Sequence, residues 1–530
     1  MLFWGRDAGA IRKEGEGMSN ITRRSFITAA GAFMGVGALA GLTGCAPKAR
    51  AETAGVSADA AKTVTGASTS GFIPGGGSFA EGALDLGWAG TPEAIEAVGG
   101  STMPLAELNR RRKAYIDSKT EDFICADGST IPSVYVKVAA KINSIGTGTL
   151  EAADQGYFPE SSLRAIIADI NEEQAQFYID LPTDVNFNVV DASLATGKSI
   201  EESAPLLSHL HACGYLAQHE RNDGTVYHCF PFFQGLAEMF TLNHYQSQTP
   251  LPINDGGAVD GFPATGTVMS MLDQGTPVFH AVPVNAEVMA EGSTILSYED
   301  VREIVKTKKK LSLGPCTCRW MKARGAGSTT LPPWEDFVNR KEGCYEYYDE
   351  TIGQYIENCI YMDDEAENGI AMGWCHEATA EEVLAVIDRS AEAGYILHVA
   401  GGKRMETICC CSVDAGCGMC NVYDRLGDAV MNYPAWDQKH RYMLEIDKDV
   451  CTGCGTCVTR CPMHAVSMGE DGKPMLGPTC LTCGQCATTC PVQARKLSNR
   501  VAESLAELPE SFVEDNMIKA AYRFEHGLIV

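Results

Sequence analysis

Twice near the C-terminus, four cysteines recur at one spacing. The first copy reads Cys451-Thr-Gly-Cys454-Gly-Thr-Cys457-Val-Thr-Arg-Cys461-Pro462. The second, 29 residues later, reads Cys480-Leu-Thr-Cys483-Gly-Gln-Cys486-Ala-Thr-Thr-Cys490-Pro491. Three thiolates separated by two residues each let a tight loop wrap one cubane 4Fe–4S cluster. Gly453, Gly455 and Gly484 allow close backbone approach. Backbone N–H groups of such a loop point at the cluster sulfurs and offset their negative charge. Zinc knuckles and disulfides are the rival chemistries, but neither requires two copies each closed by Cys-Pro.

The run resembles the motif of bacterial two-cluster ferredoxins, in which the fourth cysteine of each copy ligates the other cluster. The resemblance implies one cluster on Cys451, Cys454, Cys457 and Cys490, and a second on Cys480, Cys483, Cys486 and Cys461. Between the copies, Ala465–Met468 and Pro474–Leu476 flank Glu-Asp-Gly-Lys, a hairpin signal.

Ten of the 22 cysteines fall between residues 316 and 420. Cysteine is common in apolar cores, but that density, with three consecutive, exceeds packing needs. Unpaired thiols would also oxidise outside a cell. At least one further iron–sulfur cluster is expected here, with structural zinc as the alternative. The candidate ligands are Cys316, Cys318, Cys344, Cys359, Cys409, Cys410, Cys411, Cys417 and Cys420; Cys375 lies among them. Arg319, next to Cys318, either balances cluster charge or forms an ordinary surface pair.

Residues 160–500 or so resemble an uncharacterised Cys-rich, ferredoxin-like group of anaerobe proteins, most closely at Cys316–Arg319, Cys359–Ile387 and Cys409–Pro491. Here Ser412–Gly416 interrupts the cysteine-rich run. The group lends no substrate.

The chain carries 42 basic and 68 acidic residues; residues 1–50 have a net charge of +4, leaving −30 on the rest. That balance argues against nucleic acid and for docking on basic partners, although acidity also serves solubility. Thr22-Arg23-Arg24-Ser25-Phe26-Ile27, followed by the weakly apolar Ala29–Leu42, resembles a twin-arginine signal. Leu42-Thr43-Gly44-Cys45 resembles a lipobox, with cleavage near Ala49–Ala51 as the alternative. These resemblances imply export of the folded, loaded protein directed by Arg23 and Arg24. A lipid on Cys45 would hold it at the outer face of the cytoplasmic membrane.

The elements that must hold these sites read as an α+β chain. A signal (1–50) and a flexible linker (51–100) precede a mostly helical, winged-helix-like scaffold (101–296). A Cys-rich domain (297–440), a two-cluster ferredoxin-like domain (441–500) and a helical tail (501–530) follow. Ser161–Leu181 has helical apolar spacing, Ser199 and Glu202 form a capping box, and Tyr215–Glu220 with Thr225–Phe230 read as a hairpin. The candidate recognition helix Ile200–His211 carries Glu201 and Glu202 and no Lys or Arg, so the scaffold is expected to dock rather than bind DNA. His209, His211, Cys213, His219, His228 and Cys229 read as ordinary residues, because His209 and His211 do not share a helix face. Further on, Ser297–Lys309 and the segment capped by Thr379 and Glu382 read as helices.

The expected function is relay of single electrons between a membrane quinol-linked or cytochrome partner and a catalytic subunit. No nucleotide, flavin or molybdopterin fingerprint is present in the sequence. The alternative is a reductase with its site in 241–420. It resembles the corrinoid-binding reductive dehalogenases in its leader and C-terminal motifs, but departs from them in its intact second motif and its mid-chain cysteines.

Overall fold

The computed structural model describes residues 103–146, 160–221, 224–231, 279–432 apart from 345 and 401, 439–500 and 512–527, with a few single positions besides. The expected signal and linker, with Arg23, Arg24 and Cys45, lie outside the described residues. So does most of 232–278. All the described residues belong to the compact unit Ala54–Val530.

The chain begins with helices Leu105–Asp117 and Ser133–Asn143 around a small ladder of β1 (Phe123–Ile124) and β2 (Thr130–Ile131). The apolar run expected as one helix over 161–181 is two, Glu160–Asp169 and Glu172–Asp180. Asn171 breaks it by capping the second helix in a reciprocal box with Gln174, which satisfies N–H groups that a continuous helix would have paired internally. Helices Val189–Thr196 and Ile200–Ala212 follow, the latter capped by Ser199 and Glu202 as expected. The hairpin is β3 (Leu216–Arg221) with β4 (Gly224–Cys229).

That hairpin docks on the middle of the chain. Gln218 N–H donates to Asn368 Oδ1 (3.0 Å), and Arg221 holds both carboxylate oxygens of Asp364 (3.1 and 2.7 Å).

The middle of the chain is a six-stranded antiparallel sheet in the order β10-β6-β9-β12-β11-β5. In chain order its strands are β5 (His280–Val282), β6 (Leu311–Pro315), β9 (Glu357–Met362), β10 (His376–Glu377), β11 (Ile396–Ala400) and β12 (Thr407–Cys411). A two-stranded ladder of β7 (Tyr348–Asp349) and β8 (Gln354–Tyr355) sits between β6 and β9 in sequence. Because β5 completes this sheet, the scaffold ends before residue 280, earlier than the sequence expectation of 296. The helix expected from Ser297 starts at Val301, since the Asp300 carboxylate accepts from Arg302 and Glu303 N–H and caps it there.

Strand side chains alternate faces, and here the two faces differ completely. Leu313, Ile360, Ile408, Cys410, Leu397 and Val399 point to one core, covered by Val383, Val386 and Ile387 of helix Ala380–Ala393. Each such aliphatic burial contributes about 1.5–3 kcal/mol. The opposite face carries Cys359, Tyr361, Thr407, Cys409 and Cys411 towards a cavity.

Residues 442–499 close with β13 (Tyr442–Ile446) paired to β16 (Arg495–Asn499), around β14 (Val466–Met468) paired to β15 (Pro474–Leu476) and short helices Thr456–Arg460 and Gln485–Thr488. This region is fused to the sheet rather than tethered to it. Tyr442 and Leu497 lie in the sheet's apolar core, Ala290 N–H donates to Leu497 O (2.7 Å), and Tyr442 OH donates to the buried Glu299 (2.6 Å). The final helix, Phe512–Glu525, packs on the first, with Met517, Ile518 and Ala521 against Leu105 and Leu108.

Candidate iron–sulfur centres

The ferredoxin-like loops make two cavities. One is lined by Cys451, Cys454, Cys457 and Cys490. The other is lined by Cys461, Cys480, Cys483 and Cys486. Each therefore takes three thiols from one copy of the repeat and the fourth from the other. The exchange follows from the fold: each Cys-Pro lies past a short helix that runs from its own loop towards the other. Gly455 (φ +76°) and Gly484 (φ +84°) start those helices, so their N-termini face the thiols. Gly453 cannot be replaced: a Cβ there would stand 2.4 Å from Gly472 O. The outer cavity opens at Cys454, which is exposed, whereas Cys483 and Cys486 are buried. Burial pushes the Cys480 thiol up to about 12 and Cys483 well above the ordinary range, so metal must displace protons to bind there.

Every described cysteine is a free thiol. Seven mid-chain thiols gather on the polar face of the six-stranded sheet. Cys359 and Cys409 stand opposite each other on β9 and β12, with Cys411 two residues further along the same face. The bulge at Gly314/Pro315 ends β6 and places Cys316 at the N-cap of helix Thr317–Gly325, with Cys318 in its first turn. Cys417 is the N-cap of helix Gly418–Leu426, and Cys420 lies on its first turn. Neither cap is satisfied by a side chain, so two sets of helix N–H groups and two dipole ends face the thiols and favour negative charge. Neighbour contacts run from Cys318 through Cys316, Cys359 and Cys409 to Cys411, and on to Cys417 and Cys420. The adjoining cavity has about 70 Å³ of free volume.

Cys411, Cys417 and Cys420 are mutual side-chain neighbours, a donor set that suits an iron–sulfur cluster and a zinc ion alike.

The charges fit an anionic occupant. Arg319 is 1% exposed, which removes the surface-pair alternative, and its Nε and Nη2 have no hydrogen-bond partner. Its guanidinium stacks 4.4 Å from the Tyr395 ring centroid. Although burial opposes its charge, Cys316, Tyr395 and Cys411 hold it protonated. A buried cation without a carboxylate needs other negative charge nearby, and thiolates or cluster sulfides supply it. Neighbouring thiols hold Cys316 and Cys411 well below the ordinary thiol range.

Arg495 does the same work between the ferredoxin-like cavities. It is 2% exposed, lines the outer one, and its Nη1 lies 3.5 Å from Cys486 Sγ of the inner one. A carboxyl also borders the mid-chain cavity: burial, with Glu406 and Asp364 nearby, pushes Glu365 up to about 8.

The two thiol regions touch. Val413, two residues past Cys411, donates its N–H to Pro462 O (3.0 Å), the residue after Cys461. Arg460 donates to Glu392 O (2.8 Å) and Ala391 O (2.6 Å), and Gln485 Nε2 to Tyr395 O (2.6 Å).

Three mid-chain cysteines stand apart. Cys410 borders the cavity, but strand alternation turns it into the opposite apolar core, where Ser390 neighbours its thiol. Cys344 is buried in an apolar cluster, where Asp336, Lys341 and Glu357 are its charged neighbours. Cys375 donates to Ser312 Oγ (3.0 Å).

The histidines near 209–228 serve docking and packing. His219 Nε2 and His228 Nδ1 are 3.0 Å apart, and His219 Nδ1 meets Asp364 O (3.2 Å). His219, Asp364 and Glu367 cluster within 4.8 Å, but both ring nitrogens and the Asp364 carboxylate are already engaged there.

Sequence reasoning missed Arg495, Glu365 and His398. Single residues far from the motifs carry no local signal, and the only available hint was a basic residue next to Cys-Pro-x-x-Ala in the second copy.

Residues 450–495 match the family model described as a 4Fe-4S dicluster domain. A 30-residue stretch is 47% identical to a protein of Methanosarcina thermophila described as a probable ferredoxin, over 6% of this chain and 52% of that one. The chain thus spans about half the length of that relative. Residues 450–495 form a ferredoxin-type 4Fe–4S domain, which points to iron–sulfur electron transfer.

Proposed function

We propose that this chain is an electron carrier in which the ferredoxin-type domain exchanges electrons with a further iron–sulfur centre in the mid-chain thiol chamber. Iron–sulfur clusters supply reversible one-electron steps. Cys451, Cys454, Cys457 and Cys490 hold the outer cluster, and Cys461, Cys480, Cys483 and Cys486 the inner one. The observation that carries the reading is the Val413 N–H to Pro462 O bond, which joins the chamber to the loop of Cys461. The two regions share an apolar core, so electrons pass inside one compact unit while the exposed Cys454 side meets a partner.

Export by the twin-arginine route and a lipid on Cys45 belong to the same proposal, supported by Arg23, Arg24 and the residues around Cys45. The net −30 beyond residue 50 suits a basic face on a membrane quinol-linked protein, a cytochrome or a catalytic subunit. Replacing both arginines by lysine is expected to keep the protein in the cytosol, and Cys45→Ser to release it from the membrane.

The deciding experiment is anaerobic purification of the full chain, with iron, sulfide, zinc and corrinoid quantified together. Iron and sulfide above the roughly eight each that two cubanes need support the further centre. Zinc in place of the excess iron overturns it. A second reading, a reductase acting at the chamber, is favoured by Glu365, which holds a proton at neutral pH at the cavity wall. Bound corrinoid in the same preparation supports that reading, and its absence removes the dehalogenase-like form of it.

A further inference from the structure

Seven thiols are an awkward number for cubane clusters, which take four protein ligands each. One more donor adjoins the chamber, beside Cys411. We propose that His398 is a metal ligand, completing one set of four with Cys411, Cys417 and Cys420 and leaving Cys316, Cys318, Cys359 and Cys409 as the other. This rests on the reading of the chamber as a metal centre.

Sheet register places His398 among the thiols. On β11 it stands directly opposite Cys409 of β12, which stands opposite Cys359 of β9. Residues opposite each other in an antiparallel pair share a face, so Cys359, Cys409 and His398 form one row across three strands, at about 4.8 Å per step. Cys411 lies diagonally next to His398 on that face and has Cys409, Cys417, Cys420 and His398 as its side-chain neighbours. Cys316, by contrast, neighbours Cys318 and Cys359. These relations accommodate two sets of four that meet on β12, where only Cys410 separates Cys409 from Cys411 and those two thiols are themselves neighbours.

The imidazole also lacks any other employment. His398 is 0% exposed, and neither ring nitrogen makes an ordinary hydrogen bond, the Cys411 thiol being the polar side chain beside it. The nearby His280 shows the usual arrangement for a buried histidine in this sheet, with Nε2 3.0 Å from the Glu299 carboxylate. Phe279 meets the His398 ring edge-on, at 5.9 Å between centroids, and offers no lone pair or N–H. A buried imidazole without an ordinary hydrogen bond is costly, and coordination uses the lone pair that the apolar wall leaves idle.

The assignment has a chemical consequence. Imidazole is neutral where thiolate is negative, so a centre with three thiolates and His398 carries one negative charge fewer than an all-cysteine cluster. Histidine in place of cysteine raises reduction potential in iron–sulfur sites. Electrons entering through the ferredoxin-type domain would then settle in the centre that His398 holds.

The test is pulsed EPR on the full-length protein grown with 15N-histidine and with natural-abundance histidine, titrated anaerobically through its reduced states. Wild-type iron content is assayed alongside. The expected result is a strongly coupled nitrogen that changes with the histidine label in wild type and disappears in His398→Ala. His398→Cys should keep the iron content and lower the potential of that centre. The inference is overturned if no chamber signal carries histidine coupling, or if the coupling survives in His398→Ala. Should the alanine variant fail to fold, the labelled wild type and His398→Cys decide: unlabelled signals, or an unchanged potential in the cysteine variant, overturn it. If wild type carries no iron beyond the roughly eight that two cubanes need, the chamber holds no cluster and the parent reading fails first.

Discussion

The ferredoxin-type domain takes its eight thiols from two loops between Cys451 and Cys490, each loop turning through glycine and leading into a short helix. The chamber takes seven from β9, β12 and the N-termini of two helices, spread from Cys316 to Cys420. In the first region the chain wraps each cavity locally, and one side lies open at Cys454. In the second, distant segments converge on the polar face of a sheet, and the thiols are mostly buried. Both regions place one buried arginine among the sulfurs, Arg495 in one and Arg319 in the other. The lesson is that local spacing is one way to gather thiolates and sheet register another, whereas the need for positive charge is common to both.

The largest effect is expected from removing one chamber thiol. Cys359→Ser should lower the excess iron over that of the ferredoxin-type domain, while Cys344→Ser, outside the thiol array, should leave it unchanged. Equal loss in both variants would mean that burial, not the array, decides metal content.

The next effect concerns the exchanged fourth cysteine. Cys461→Ser should convert the cluster of Cys480, Cys483 and Cys486 to a three-iron form and leave the other spectrum intact; Cys451→Ser should do the reverse. Damage to the same cluster by both variants would mean that each copy closes on itself.

Smaller still is the effect of charge. Arg495→Met removes the cation between the two cavities and should lower both ferredoxin-type potentials by on the order of 100 mV. The chamber signal, served by Arg319, should stay put. A shift confined to one ferredoxin-type cluster would show that Arg495 serves that one alone.

The smallest effect is that of a proton at the chamber wall. Glu365 is pushed up from 4.5 to about 8, so the folded chain binds this proton more tightly than the unfolded chain does. Its stabilising contribution is full below about pH 4.5 and is lost as pH rises towards about 8, levelling off above that. Glu365→Gln should flatten that slope and raise stability at alkaline pH by about 1–3 kcal/mol, read as a higher midpoint of thermal unfolding. Identical pH profiles for wild type and variant would mean that the carboxyl titrates normally.

Features under short-range control were legible in the chain alone. The doubled motif, the hairpin between its copies, and the capping boxes at Ser199 and Thr379 all depend on neighbours within a few residues. One helix where Asn171 makes two, and a scaffold boundary drawn too late, mark where a local pattern could be satisfied in more than one way.

Among the mid-chain cysteines the sequence supplied a density, and only the tertiary structure sorted it. Cys409, Cys410 and Cys411 are adjacent in the chain, yet strand alternation sends the middle one to an apolar core and its neighbours to the chamber. Cys359 and His398 reach that chamber from segments with no recognisable spacing, because antiparallel register aligns residues by their strand positions and not by their separation in sequence. Arg319 next to Cys318 was ambiguous until burial removed the solvent that a surface pair requires. Hydrogen bonding within a turn acts over a few residues and is legible in the sequence; desolvation and register are properties of the assembled sheet.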